Sequence, residues 1–380
     1  MAVKELQQIA SKFDIHGEVI KVEENLCGHI NKTFIVHVGS VETAQEPRRY
    51  ILQRINHHVF QDPIAVMRNI KNVTQHIECK LRNENIRYGQ KTLTLIPMKE
   101  CHEQYYFQND EHDGSIWRCY NFMQGCKTYN TVENAKQAYQ AAYAFGIFQN
   151  LVSDIPIETI LETIPDFHNT PKRLERLLEV VKKDRVGRLK NVENEMHFIR
   201  RRKHLVTKLI NLCRNGKIPI RITHNDTKIN NVMMDIVTDE AVCVIDLDTV
   251  MPGLSLYDFG DLVRSTVSPT EEDEVDLSKV EFRRFIFEAL VQGYIDSCDC
   301  LVEEEIQNLV FSGILMTLEV GMRFLTDYLE GDLYFKTTRE SHNLDRARTQ
   351  FRLVELLEDN LIQMEDFVQR VYKEKVNSKI

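Results

Sequence analysis

The sequence predicts an α+β fold in two parts, a small antiparallel-sheet part followed by a larger, mainly helical part. Three observations predict it. Up to about residue 121, short runs alternate apolar and polar residues, the mark of half-buried strands. From about Glu133 the apolar residues recur every three or four positions instead, which is helical spacing. One passage alone, Ile218 to Asp258, breaks that second rhythm with compact strand-like runs.

The elements follow in order. The start, Met1 to Phe13, is polar and helix-like. Thr33-Phe34-Ile35-Val36-His37-Val38 and Arg49-Tyr50-Ile51-Leu52-Gln53 read as strands. Asp62-Pro63 is a helix start, because Asp accepts from free N–H groups and Pro has none to leave unpaired. Val66, Ile70, Val73, Ile77 and Leu81 continue that helix at the right spacing. Further strands are expected at Leu93–Ile96, Gln104–Phe107 and Ile116–Tyr120, the last two joined by the turn residues Glu111-His112-Asp113-Gly114. Trp117 reads as core. Ala138, Ala141, Ala142, Phe145 and Phe148 then form one helical face, and Leu174, Leu177, Leu178 and Val181 another. Long helical stretches at 302–330 and 346–373 close the chain. The switch of period near 121–129 divides it into residues 1–123 and 124–380.

Composition excludes several function classes. A chain of 380 residues with 43% apolar and 28% charged residues is ordinary for a water-soluble globular protein. The formal net charge of −9 argues against nucleic-acid or anionic-membrane binding, both of which need a positive field. No run approaches the roughly 18 apolar residues of a membrane span. Nine cysteines at irregular spacing, with no secretion signal, point to a reducing cytoplasm rather than a disulfide framework. Cys298-Asp299-Cys300 reads as two exposed thiols near a helix end.

The chemistry is concentrated in Arg221-Ile222-Thr223-His224-Asn225-Asp226-Thr227-Lys228-Ile229-Asn230-Asn231-Val232-Met233-Met234-Asp235, a polar loop between apolar runs. Val242-Cys243-Val244-Ile245-Asp246-Leu247-Asp248 follows, an apolar strand ending in aspartates. Moving a γ-phosphoryl group onto a hydroxyl needs a carboxylate to orient that hydroxyl and accept its proton, and oxygen ligands for Mg²⁺. An Asp five residues before an Asn, with another Asp twenty residues on, supplies those groups.

His224, Asp226 and Asn231 resemble the catalytic loop of aminoglycoside phosphotransferases and choline kinases, and Asp246 resembles their metal-binding aspartate. The resemblance implies a protein-kinase-like two-lobe fold, with residues 1–123 binding ATP and residues 124–380 carrying catalysis and the acceptor. It implies Asp226 as catalytic base and Asn231 and Asp246 as magnesium ligands. Closer still, Gly28-His29-Ile30-Asn31, Tyr50-Ile51-Leu52-Gln53, Thr223–Lys228, Ile245–Thr249, Gly321-Met322-Arg323-Phe324-Leu325 and Tyr328-Leu329-Glu330-Gly331-Asp332 look like phrases of bacterial N-acetylhexosamine 1-kinases. These span about residues 28–350. They imply ATP-dependent phosphorylation of N-acetylglucosamine or N-acetylgalactosamine at the anomeric hydroxyl, with Mg²⁺ as cofactor and a small sugar and ATP as the partners.

Each residue also has a plainer reading. His224 braces the loop through hydrogen bonds, since no second His sits at metal-ligand spacing. Asp248 either touches the metal or caps the next turn. Asp258-Phe259-Gly260 imitates a kinase metal motif, but Asp258 lies 32 residues after Asp226 where Asp246 lies 20; it is expected to open a helix and anchor the loop from below, with Asp261 and Arg264 paired. Gly28, His29, Asn31 and Lys32 form either an ordinary hairpin or, as the resemblance implies, a nucleotide loop. No Lys stands on the β3 run; Gln53 does, which leaves Lys32 and Arg54 as further phosphate cations. Phe122 and Met123 either cup adenine or pack the junction. Arg323 either pairs internally with Glu319 or Asp327 or, by the resemblance, faces the sugar beside Asp327 and Tyr328. Rival readings keep the chemistry with choline, homoserine, an aminoglycoside or another sugar as acceptor, or make the chain a non-catalytic kinase-like binding protein. Such a protein is expected to lack Asp226, Asn231 or Asp246, and all three are present.

Overall fold

The computed structural model describes residues 3–25, 30–39, 48–83, 91–110 and 113–378. The chain divides into two compact units, Met1–Cys126 with Asp154–Ile164 and Val242–Met251, and Lys127–Ser153 with Pro165–Ala241 and Pro252–Ile380. Residues 154–164 and 242–251, which one cut after residue 123 leaves with the helices, group with the sheet.

In the first unit, helix α1 (Val3–Ala10) precedes strands β1 (Glu18–Asn25), β2 (Lys32–Gly39) and β3 (Arg48–Arg54). Helix α2 (Pro63–Asn83) follows, then strands β4 (Phe107–Asn109) and β5 (Ser115–Asn121). The strands pair antiparallel in the order β1-β2-β3-β5-β4. Register decides what each face carries. Phe34 stands opposite Leu52, and Leu52 opposite Cys119; with Trp117 and, from α1 and the residues after it, Leu6, Ile9 and Phe13, they form one buried core. Each such side chain contributes about 1.5–3 kcal/mol by leaving water. One residue along, the same register lines up Thr33, Gln53 and Arg118.

Helix α2 starts where Asp62-Pro63 predicts: the Asp62 carboxylate accepts the Ala65 N–H at 2.9 Å. Its buried Asn69 ties the two late segments to this unit. The Asn69 Nδ2 donates to the carbonyls of Leu161 (2.7 Å) and Val250 (3.1 Å), and its Oδ1 accepts the Leu161 N–H (2.9 Å). Two expected strands fall short. Leu93–Ile96 makes only a bridge, at Leu95, although the Asn121 N–H reaches Thr94 O and the Ile96 N–H reaches Cys119 O. Of Gln104–Phe107 only Phe107 lies in a strand; Gln104 instead closes the turn at 102–103, bonded back to Cys101 and Met98. Residues 111 and 112 of the expected hairpin turn lie outside the described residues; Gly114 within it has φ 65°, which glycine adopts without strain.

The short strand β6 (Cys126–Lys127) leads to helices α3 (Ala135–Leu151), α4 (Thr170–Lys183), α5 (Glu193–Arg202) and α6 (Lys208–Arg214). The strand-rich passage holds β7 (Arg221–Thr223), β8 (Val232–Asp235), β9 (Ala241–Val244) and β10 (Met251–Gly253). Helices α7 (Ser255–Thr266), α8 (Arg284–Ser297), α9 (Glu303–Gln307), α10 (Leu309–Glu330), α11 (His342–Asp359) and α12 (Leu361–Ser378) complete the second unit. Both long helical stretches are interrupted once, at Asn308 and Asn360.

Helix α10 is the axis of this unit; only Arg323 and Glu330 of its residues escape burial. Among the described residues it alone is long and apolar enough to cross a membrane, and here it packs against α4, α7 and α11. The α7 contact is close: a Cβ on Gly260 would lie 2.4 Å from the Ser312 carbonyl. The Cys298–Cys300 thiols correct an expectation. Cys298 is buried, Cys300 half-buried, and their sulfurs lie 3.6 Å apart. The segment is drawn inward because Asn150 Oδ1 accepts the Asp299 and Cys300 N–H groups at 2.9 and 3.0 Å.

Candidate active site

Strand β7 ends at Thr223 and the chain turns sharply, with Asn225 at φ 65°, a conformation Asn tolerates better than most residues. The Thr223 hydroxyl donates to Asn225 Oδ1 at 3.0 Å. Strand β10 passes so near that a Cβ on Gly253 would lie 2.3 Å from Thr223 Oγ1; only glycine fits.

The loop is gripped from two sides. Asp258, in the first turn of α7, accepts the His224 N–H at 2.9 Å and the Asn225 N–H at 2.7 Å. Burial pushes its carboxyl up to about 7, against the pull of those two donors. On the other side His168 Nε2 lies 3.0 Å from the Asn225 carbonyl, while its Nδ1 lies 2.8 Å from Glu319 Oε1. Both ring nitrogens thus face oxygen atoms. Glu319 also accepts the Thr170 hydroxyl. Burial would raise the Glu319 carboxyl, but His168 and Thr170 hold it below its ordinary value. His224 itself accepts the Asp226 N–H on Nδ1 at 3.3 Å, with its ring edge-on to Phe145 and Phe148.

Asp226 is left at the tip of this loop with a part-exposed carboxylate. Its Oδ1 lies 2.8 Å from Lys228 Nζ, and its Oδ2 accepts from Asn231 Nδ2 at 3.2 Å. Desolvation would raise this carboxyl; Lys228 outweighs it, helped by His224 and Arg264, and brings it down to about 2. Asp226 in turn lifts Lys228 to about 12. Asn231 also donates to the Asp226 carbonyl at 2.9 Å, and its Oδ1 accepts no hydrogen bond among the described residues. Asp261 and Arg264 pair at 2.7 Å beneath the loop.

The predicted groups of residues 1–126 and 242–251 lie in the first unit. Asp246 is exposed, with φ 59°. Asp248 is buried and bonded to Arg118 and Asn31, so it does not cap the next turn. Gln53 donates to Thr33 and accepts from Arg118. Lys32 is exposed, and Arg54 pairs with Asp113 at 2.6 Å. The Phe122 ring lies 4.0 Å from the Arg49 guanidinium, beside a cavity of about 470 Å³ that also has His16, Arg48 and Tyr50 in its wall. Met123 is half-buried. Gly28 and His29 lie outside the described residues.

Arg323 makes neither of the internal ion pairs considered for it. Glu319 is taken by His168 and Thr170. Asp327 accepts the N–H groups of Leu333, Tyr334 and Phe335 and the Asn343 amide, all at 2.8–2.9 Å. The Arg323 guanidinium lies instead over Phe167 and Phe335, 5.2 and 5.7 Å from the ring centres. Arg173 is near enough that burial and the charge of Arg323 together lower its pKa. Tyr328 is buried, and its hydroxyl accepts from Asn191 at 3.2 Å.

Comparison with known proteins fits this geometry. The model of APH, the phosphotransferase enzyme family, matches residues 39–288. The chain belongs to the APH phosphotransferase family. Solved small-molecule kinases share its fold. A microcompartment-associated aminopropanol kinase superposes with a TM-score of 0.58 at 15% identity, covering 95% of this chain and 98% of the other. An aminoglycoside phosphotransferase from Alicyclobacillus acidocaldarius gives 0.60 at 13%, with 96% of both chains covered. A choline kinase from Cryptosporidium parvum gives 0.53 at 13%, covering 95% and 96%. The expected kinase-like α+β fold, an antiparallel-sheet unit and a helical unit, is thus the observed one.

Sequence reasoning missed two buttresses of this APH phosphotransferase. His168 lies 57 residues before the carbonyl it holds, and a lone His on a polar stretch carries no signal of that partner. Arg118 had a signal: it is the one charge in Ile116-Trp117-Arg118-Cys119-Tyr120, and a charge inside an apolar strand needs a buried partner.

Proposed function

We propose that this APH phosphotransferase transfers the γ-phosphoryl group of ATP to the anomeric hydroxyl of an N-acetylhexosamine. The surface around Arg323 carries the reading. Two guanidiniums, Arg323 and Arg173, stand with the rings of Phe167 and Phe335 next to His168, which is bonded to the carbonyl of Asn225. A cationic acceptor such as choline or an aminoglycoside would meet two like charges there, an arrangement that costs several kcal/mol. A neutral sugar would meet donors for its hydroxyls and amide oxygen, and apolar rings for its C–H face. The phrases that look like those of N-acetylhexosamine 1-kinases, Gly321–Leu325 among them, support the same acceptor.

Asp226 is the base in this reading. Held ionised by Lys228, it is a weak one, which suits an anomeric hydroxyl, more acidic than an ordinary alcohol. Its larger contribution is to orient that hydroxyl. The Asn231 amide oxygen and the Asp246 carboxylate are each a hard oxygen donor of the kind Mg²⁺ takes, and each is a ligand that the family resemblance implies. Bound there, Mg²⁺ neutralises charge on the phosphates. Lys228 adds a second positive charge at the loop. Asn31, Lys32 and Gln53, with Gly28 and His29, serve the nucleotide phosphates, and Phe122 and Met123 its base. Arg323 contacts the sugar, with Asp327 and Tyr328 shaping the ground behind it. A cytoplasmic location belongs to the same proposal.

The test is ADP release with Mg²⁺–ATP across N-acetylglucosamine, N-acetylgalactosamine, glucose, choline, homoserine and kanamycin, followed by phosphorus NMR. A sugar 1-phosphate doublet from the N-acetylated sugars is expected. Turnover of choline or kanamycin alone would keep the phosphotransferase and replace its acceptor. Arg323→Gln is expected to raise KM for the sugar with little change in kcat.

A further inference from the structure

Arg118 stands in the middle of a strand, 1% exposed, where an unpaired guanidinium would be heavily penalised. It is fully paired. Its two terminal nitrogens grip the two oxygens of Asp248, the second at 3.0 Å, and its Nε donates to Gln53 Oε1 at 2.9 Å. Gln53 passes the network to Thr33 at 3.0 Å. Asp248 Oδ2 also accepts from Asn31, whose Oδ1 takes the Asn56 N–H at 3.0 Å. Asp248 lies within the single helical turn Leu247–Thr249, and Asp246 is the residue that opens that turn.

Residues two apart on one turn cannot be placed independently. We propose that Arg118 and Asp248 are positioning residues: they lock the 247–249 turn to the sheet and thereby position Asp246 for a divalent cation. Asp248 is accordingly the counter-ion of Arg118 and not itself a ligand. Both its oxygens are taken, it is 3% exposed, and a cation binding there would leave a buried guanidinium without its partner. The bidentate fork also explains why this place holds Arg, since Lys offers a point charge without the planar pair of donors. The inference rests on the reading of Asp246 as the metal carboxylate.

Mn²⁺ affinity of the full chain in the presence of ADP, followed by electron paramagnetic resonance, tests it alongside melting temperature and kcat. Asp248→Asn and Arg118→Lys are each expected to weaken Mn²⁺ binding about 10- to 100-fold, the usual effect of removing a residue behind a metal ligand. Combined, they should do no worse than the weaker-binding single variant, because they break one unit. The uncharged pair Arg118→Met with Asp248→Leu should recover the melting temperature but not the Mn²⁺ affinity, and it decides the matter if a single variant does not fold. Unchanged Mn²⁺ affinity in that folded pair overturns the proposal. So does a loss in Asp248→Asn that folded Arg118→Lys does not share, which would make Asp248 a ligand. Asp246→Asn separates the two layers: if it leaves Mn²⁺ binding intact, the metal reading beneath the proposal is what has failed.

Discussion

The Asp226 loop of the second unit and the Asp246 turn of the first both bend through a left-handed residue, Asn225 at φ 65° and Asp246 at φ 59°. They are held in place by opposite means. The loop is gripped by its backbone, two N–H groups on Asp258 and one carbonyl on His168. The turn is gripped by a side chain, Asp248 in the fork of Arg118. A backbone grip leaves loop side chains such as Asp226 and Lys228 available for chemistry. A side-chain grip uses up one of the two aspartates that the sequence offers. The grips also differ in charge: burial raises the Asp258 carboxyl, whereas Asp248 raises the pKa of the Arg118 guanidinium it pairs with.

Asp226→Asn should break the loop's chemistry without touching either grip. A kcat lower by about 10²- to 10⁴-fold is expected, with nucleotide affinity retained; an unaltered rate would place the base elsewhere. Asp258→Ala attacks the backbone grip itself. It leaves two buried N–H groups unpaired at about 1–3 kcal/mol each, so the melting temperature and kcat should fall together, while Asp258→Asn, which keeps one acceptor, should lose less of both. Gly260→Ala would push α7 against the Ser312 carbonyl and cost about 1–3 kcal/mol, read in a denaturant titration; a neutral result would show that α7 can shift while the loop stays held.

The smallest effect is a slope in pH. The Asp258 carboxyl is raised from 3.8 to about 7 by burial, so the folded chain keeps a proton that the unfolded chain gives up. Its contribution to stability is therefore full below about pH 4 and declines as pH rises towards 7. Asp226, lowered to about 2, works in the other direction: its contribution is present above the ordinary carboxylate value and is lost as pH falls through about 2. Melting curves from pH 4 to 7 should flatten in Asp258→Asn. A slope that persists in that variant would assign the proton to another group.

How much of this was legible depended on whether the information was local. Asp62-Pro63 announced α2 because a cap and its helix are neighbours. The polar loop at 223–231 was legible because its chemical groups fall within a few residues of one another, and the spacing of Asp258 was enough to take it for an anchor. Leu93–Ile96 misled because its alternation is genuine while its pairing ends after one bridge, a fact set by β5 and not by the segment. The thiols at 298 and 300 were placed in solvent because nothing near them names Asn150 as the residue that draws them in. Arg323 offered two plausible carboxylates one turn away, and both were already committed to partners distant in the chain.

The Arg118–Asp248 pair spans 130 residues, and a ribosome makes its members in that order. Throughout that interval the emerging sheet carries a guanidinium in its central strands with its counter-ion not yet synthesised. A nascent chain that stops short of residue 248 lacks the counter-ion of Arg118, so the first unit is completed only after much of the helical unit has been translated.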